Sequence, residues 1–120
     1  MATQYNPDIL SRRIPVTDES GTPDLFVKVR LYYDKGGLNV FTYRDERRGY
    51  YLSVSPIRME RGMETYKAFS GLKSCVPPVS RKSAKAEANA VALVDEALED
   101  LLPIVCHRNH LTLKEAGGNA

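Results

Sequence analysis

From Leu25 to Tyr33 the chain reads Leu-Phe-Val-Lys-Val-Arg-Leu-Tyr-Tyr, an alternation without a break. Leu25, Val27, Val29, Leu31 and Tyr33 fall on one side, and Phe26, Lys28, Arg30 and Tyr32 on the other. That period of two is the pattern of a strand buried on one face only. Whatever this chain folds into must therefore contain a sheet with one covered face and one basic, aromatic face.

The same period recurs downstream. Asp34-Lys35-Gly36-Gly37 reads as a hairpin turn, and residues 38–44 as a second strand, with Leu38, Val40 and Thr42 opposed to Asn39, Phe41 and Tyr43. Arg44 to Gly49 is a charged turn. Residues 50–59 form a third strand, with Tyr50, Leu52 and Val54 opposed to Tyr51, Ser53 and Ser55. Pro56 lacks an N–H, which predicts a kink or a sheet edge there. Residues 63–70 make a fourth, weaker strand, and residues 71–82, with Pro77 and Pro78, a linker.

The pattern then changes to that of a helix. Ser83 is a suitable N-cap with Glu87 in the turn beyond it. Residues 84–102 are alanine-rich, with Val91, Val94, Leu98, Leu101 and Val105 at 3-4-3-4 spacing and Asp95, Glu96, Glu99 and Asp100 mostly opposite. Pro103 predicts a stop or kink at Leu102, with a short extra turn over 104–111. The expectation is an α+β fold: a four-stranded antiparallel meander in β-β-β-β-α order, one face covered by one long helix. Residues 1–24, with three prolines, read as an arm holding at most a short strand near Arg13 to Val16. Residues 25–113 form the domain and 114–120 a tail.

Charge is uneven. Residues 25–82 hold twelve Lys/Arg against five Asp/Glu, and residues 83–120 three against six. Nine of the ten Phe/Tyr lie between Phe26 and Phe69. On the expected open face, Phe26, Lys28, Arg30, Tyr32, Phe41, Tyr43, Tyr51 and Ser53, with Arg47 and Arg48 in the adjoining turn, offer rings for stacking bases and cations for phosphates. That chemistry suits single-stranded DNA or RNA. The same surface also suits a protein partner, as in a phage or mobile-element module that inhibits a host nuclease defence system, or burial beneath the arm.

The segment Phe41-Thr-Tyr-Arg-Asp-Glu-Arg-Arg-Gly-Tyr-Tyr-Leu-Ser-Val-Ser55 resembles the second and third strands of PUR-domain proteins. The resemblance implies a β-β-β-β-α order shared with whirly and positive-cofactor folds, binding of single-stranded nucleic acid, and assembly through helices. It points to Tyr43, Arg48, Gly49, Tyr51 and Ser53.

Other constellations are weaker. Lys73, Arg81, Lys82 and Lys85 near the start of the helix suggest an anion site, or simply a solvated capped terminus. The stripe Val91, Val94, Leu98, Leu101 and Val105 has apolar neighbours in Ala90, Leu93, Ala97 and Leu102. That width predicts a homodimer through the helices, against a monomer with a broad stripe. Cys106-His107 and His110 fall short of a four-ligand zinc set and read as a helix-end cysteine with surface histidines. No metal, cofactor or catalytic constellation is expected. Cys75 and Cys106 read as free thiols. No apolar run is long enough to cross a bilayer, and no basic stub precedes an apolar stretch, so the chain reads as cytoplasmic.

Overall fold

The computed structural model describes residues 7–41, 43–76 and 80–114, without the side chains of 39 and 44–46. The fold is α+β, with one helix packed on an antiparallel sheet. Elements run β1 (Asp8–Thr17), β2 (Leu25–Asp34), β3 (Gly37–Asn39), β4 (Arg44–Glu46), β5 (Gly49–Glu60), β6 (Met63–Thr65), β7 (Leu72–Cys75), α1 (Ala84–Arg108) and β8 (Thr112–Leu113). The main sheet has the order β6-β5-β2-β1-β8, with β7 also on β5.

Several sequence expectations change. The arm expected at 1–24 contains a full strand, β1, which pairs with β2 from Asp8↔Tyr32 to Pro15↔Phe26. Its apolar alternation, Leu10, Ile14 and Val16, is interrupted by Arg12, which turns to the helix side and meets Asp95 at 2.6 Å. Its C-terminal end pairs with β8, and the Lys114 N–H donates to the Pro15 carbonyl.

The second expected strand does not enter the sheet. Residues 37–46 form a separate hairpin, β3–β4, and β2 pairs with β5 in unbroken register from Leu25↔Arg58 to Asp34↔Gly49. Chain order favours pairing β2 with its sequence neighbour. The long partner wins because it places Tyr50, Leu52 and Val54 beside Tyr33, Leu31 and Val29, all three β5 residues being fully buried. Leu38 and Val40, expected in the core, are therefore exposed. The turn over Asp34–Gly37 is a departure point. The Gly36 N–H donates to Asp34 Oδ1 at 2.9 Å, and Gly36 and Gly37 both take positive φ.

The fourth expected strand, 63–70, shortens to β6, and the expected linker 71–82 opens with a further strand, β7. β6 pairs with Arg58–Glu60 and β7 with Tyr51–Val54 along the same edge of β5. Pro56 lies between the two paired stretches, so its missing N–H falls where this edge has no partner. Gly71 sits against β5 as the chain rejoins it: a Cβ there would lie 2.7 Å from Ser55 Oγ and 2.9 Å from the Val54 carbonyl oxygen.

The helix starts at the expected cap. Ser83 is extended and its hydroxyl accepts from the Ala86 N–H at 3.0 Å. Ser83→Ala is expected to lower stability by about 1 kcal/mol, measured by urea unfolding. Pro103 does not end the helix, which runs on to Arg108. Pro103 and Glu99 are both exposed, so the Glu99 carbonyl that loses its donor faces water. Val105 and Cys106, beyond the proline, are buried and hold the last turns down. Asn109 closes the end: Nδ2 donates to the Val105 and Ser70 carbonyls, each at 2.8 Å, and Oδ1 accepts from the Ser70 N–H.

The core lies between α1 and the sheet. Leu25, Val27, Val29 and Leu31 from β2, and Tyr50, Leu52 and Val54 from β5, meet Ala90, Val94, Leu98, Val105 and Cys106. Val94, Leu98 and Val105, read from sequence as dimer contacts, are thus spent inside the chain. Leu101 is half-buried against the same core, and only Val91 of that set is exposed. The linker prolines Pro77 and Pro78, Thr42, and the tail beyond Lys114 lie outside the described residues.

Candidate nucleic-acid interface

The face of the sheet opposite α1 is assembled by register. Cross-strand pairing sets Tyr32 beside Tyr51, Arg30 beside Ser53, Lys28 beside Ser55 and Phe26 beside Ile57. β1 adds Asp8, Ser11, Arg13 and Pro15, and β7 adds Lys73 opposite Ser53 and Cys75 opposite Tyr51.

This surface is less open than the sequence implies. Tyr32 and Tyr51 stack with centroids 6.2 Å apart and planes at 26°, and keep only 8% and 6% exposure. The Arg30 guanidinium carbon lies 5.0 Å over the Tyr32 ring, and Lys73 Nζ 4.6 Å over Tyr51. Both distances are within cation–π range. The rings are thus roofed by cations. The Tyr51 hydroxyl donates to the Arg47 carbonyl, which ties the arginine turn to this stack. Burial raises the Tyr32 phenol above its ordinary pKa, against the opposing charges of Lys73 and Arg30. Burial likewise pushes the Cys75 thiol up, against the charge of Arg47.

The other end of the face is neutralised. Glu64 on β6 accepts from Lys28 Nζ at 2.7 Å and from Arg13 at 2.7 Å, and the Tyr66 hydroxyl donates to it at 3.2 Å. Arg30 Nε donates to Asp8 Oδ1 at 2.7 Å. Asp8, Arg13 and Glu64 were not among the candidate residues. Finding the first two required recognising β1, and Glu64 required the β6 register.

The remaining candidates divide. Phe26 is half-buried on this face beside Pro15 and Ile57, and Ser53 is half-buried between Arg30 and Lys73. Phe41 and Tyr43 are not on the sheet at all. They stand on the β3–β4 hairpin, 90% and 83% exposed, with Arg47 and Arg48 exposed at its return. The expected anion cluster separates as well. Lys73 belongs to the tyrosine face, while Lys82 lies 5.9 Å from the Tyr33 ring centroid. Arg81 and Lys85 are exposed near the helix start.

Comparison with protein-family models, curated proteins and solved structures gives no match to this chain. The site is therefore read from its own chemistry.

Cys106 is buried, while His107 and His110 are exposed. Among the described residues no group of three or more His, Cys, Asp or Glu could hold a metal ion, and no helix is long and apolar enough to cross a membrane.

Proposed function

We propose that the chain binds single-stranded DNA or RNA at the cation-roofed tyrosine stack, with Arg47 and Arg48 extending the positive edge. The observation that carries this reading is the layered set Arg30–Tyr32–Tyr51–Lys73, with Arg30 and Lys73 lying over two stacked rings. A guanidinium plane over a ring is a flat cationic surface on which a base stacks, and an ammonium beside it takes a phosphate. Of the residues that carry the PUR-like resemblance, Gly49, Tyr51 and Ser53 lie at the start of β5 and Arg48 just before it, whereas Tyr43 stands apart on the hairpin.

Fluorescence anisotropy with labelled single strands, at ~50 and ~200 mM salt, tests it. With three or four phosphates engaged, the logarithm of the affinity should fall with the logarithm of salt at a slope of about −2 to −3. Arg30→Ala/Lys73→Ala should weaken binding at least ~10-fold and flatten that slope by about 0.7, the one phosphate contact assigned to Lys73. Absence of binding at tens of micromolar and low salt defeats the proposal.

One observation favours a protein partner instead. Glu64 and Asp8 already pair with Arg13, Lys28 and Arg30, which makes that end of the face mixed in charge. A protein bound there, as by a phage or mobile-element inhibitor, would be released by Glu64→Lys, whereas nucleic-acid binding would be strengthened by it.

A further inference from the structure

The β3–β4 hairpin exposes Leu38, Val40, Phe41 and Tyr43 together. The reading above places the base on Arg30 and gives these side chains no role, and large apolar side chains exposed on one short hairpin mark an interface. One surface of the same chain matches it. Between β7 and α1 lies a groove of about 380 Å³, lined by Val76, Leu93 and Ala97 and bordered by Glu96 and Asp100. Its border is acidic, whereas the return of the hairpin carries Arg47 and Arg48.

The two surfaces sit at one end of the sheet. The hairpin leaves after Asp34 and returns at Gly49, and Cys75, in the groove, pairs with Tyr51. A single two-fold axis beside that end can therefore satisfy both contacts at once, which is the self-complementary arrangement of a symmetric dimer.

We propose that two copies of this chain dimerise by reciprocal docking: each hairpin seats Phe41 and Tyr43 in the β7–α1 groove of the other copy, with Arg47 and Arg48 against Glu96 and Asp100 of that copy. The interface is distinct from the helix-to-helix dimer that the Val91–Val105 stripe implied, because most of that stripe is buried in the chain. It shares Arg47 and Arg48 with the positive edge proposed above, but does not use Arg30, Tyr32 or Lys73.

Sedimentation over a concentration series tests it. Wild type should be a dimer at tens of micromolar. Phe41→Ser/Tyr43→Ser removes two interface anchors and should raise the dimer dissociation constant about 100-fold. Glu96→Arg/Asp100→Arg should raise it at least ~10-fold through like-charge repulsion. All four side chains are exposed, and unchanged thermal unfolding of the variants would show that the fold is intact. Mixing the two variants leaves one intact hairpin facing one intact groove. It should yield a heterodimer weaker than wild type but stronger than the homodimer of the hairpin variant.

A wild type that stays monomeric to ~100 µM, a groove variant that dimerises like wild type, or a mixture without heterodimer overturns the proposal. So does a hairpin variant that loses only nucleic-acid affinity, which would assign the finger to bases. Failure of the Arg30/Lys73 titration with the dimer intact would overturn the nucleic-acid reading alone.

Discussion

Tyr50→Ala should cost about 3–5 kcal/mol, the range for truncating a fully buried aromatic residue. That is a large share of the roughly 5–15 kcal/mol a domain of this size has in total. Tyr50 is the largest fully buried side chain among the described residues. It lies in β5 against the Tyr33 ring, with centroids 5.1 Å apart at 63°, an edge-to-face contact. Its hydroxyl reaches the start of the helix, where it accepts from the Ser83 N–H and donates to the Ser83 carbonyl, both at 3.2 Å. One side chain therefore joins the sheet, the core and the helix cap. Tyr50→Phe isolates the polar part. It keeps the ring, leaves both Ser83 backbone groups without this partner, and should cost about 1–2 kcal/mol. Urea unfolding of the two variants checks both values. A loss under 1 kcal/mol for Tyr50→Ala would contradict the packing described here.

Glu64→Ala is expected to cost about 2 kcal/mol, because it removes charge-assisted hydrogen bonds from two cations. Lys28, whose side chain is only 18% exposed, would be left without its carboxylate. Arg13 is 47% exposed and recovers water, so Lys28 dominates the loss. Lys28→Met/Glu64→Met should therefore recover most of it, since no buried charge is left unpaired.

The pH dependence has a definite sign. Burial pushes the Glu64 carboxyl up, but the hydrogen bonds from Lys28 and Arg13 and the Lys28 charge outweigh it and hold the group below its ordinary value of 4.5. A carboxyl with a depressed folded pKa contributes its full stabilisation above the unfolded value. That stabilisation is lost as pH falls through the folded one. Wild type should thus lose stability from about pH 5 downward, and Glu64→Gln, which lacks the charge at every pH, should be less stable than wild type at neutral pH and show a flatter acid slope. Asp18, held below its ordinary value by the Thr22 hydroxyl and backbone N–H, acts in the same direction and remains in both proteins. Thermal melts from pH 3 to 8 would show the difference. An unchanged acid slope in Glu64→Gln would contradict the cluster.

Elements with strong local patterns were legible in the sequence. The β2 and β5 alternations, the Ser83 cap and the helix periodicity depend on near neighbours, so their burial follows from composition and spacing. β1 was hidden because Arg12 interrupts its apolar alternation on the helix side, where its side chain reaches the surface and pairs with Asp95. The run over 38–44 has a strand's alternation but is excluded from the sheet, because periodicity states how a segment can pair and not with which partner. The candidate site divided for the same reason. Arg30, Tyr32, Tyr51 and Ser53 share strands whose phase was readable, whereas Phe41 and Tyr43 depended on a pairing that does not form.

The sequence by itself determined an α+β chain, which residues of β2 and β5 face the helix, and where the helix begins. Those properties follow from side-chain period and local hydrogen bonding. Only the tertiary structure decided that β5 displaces residues 38–44 beside β2, that the edge breaks at Pro56, and that Glu64 and Asp8 take up the cations of the open face. Each is a competition between contacts distant in sequence, decided by how much apolar surface is buried and which charges find partners.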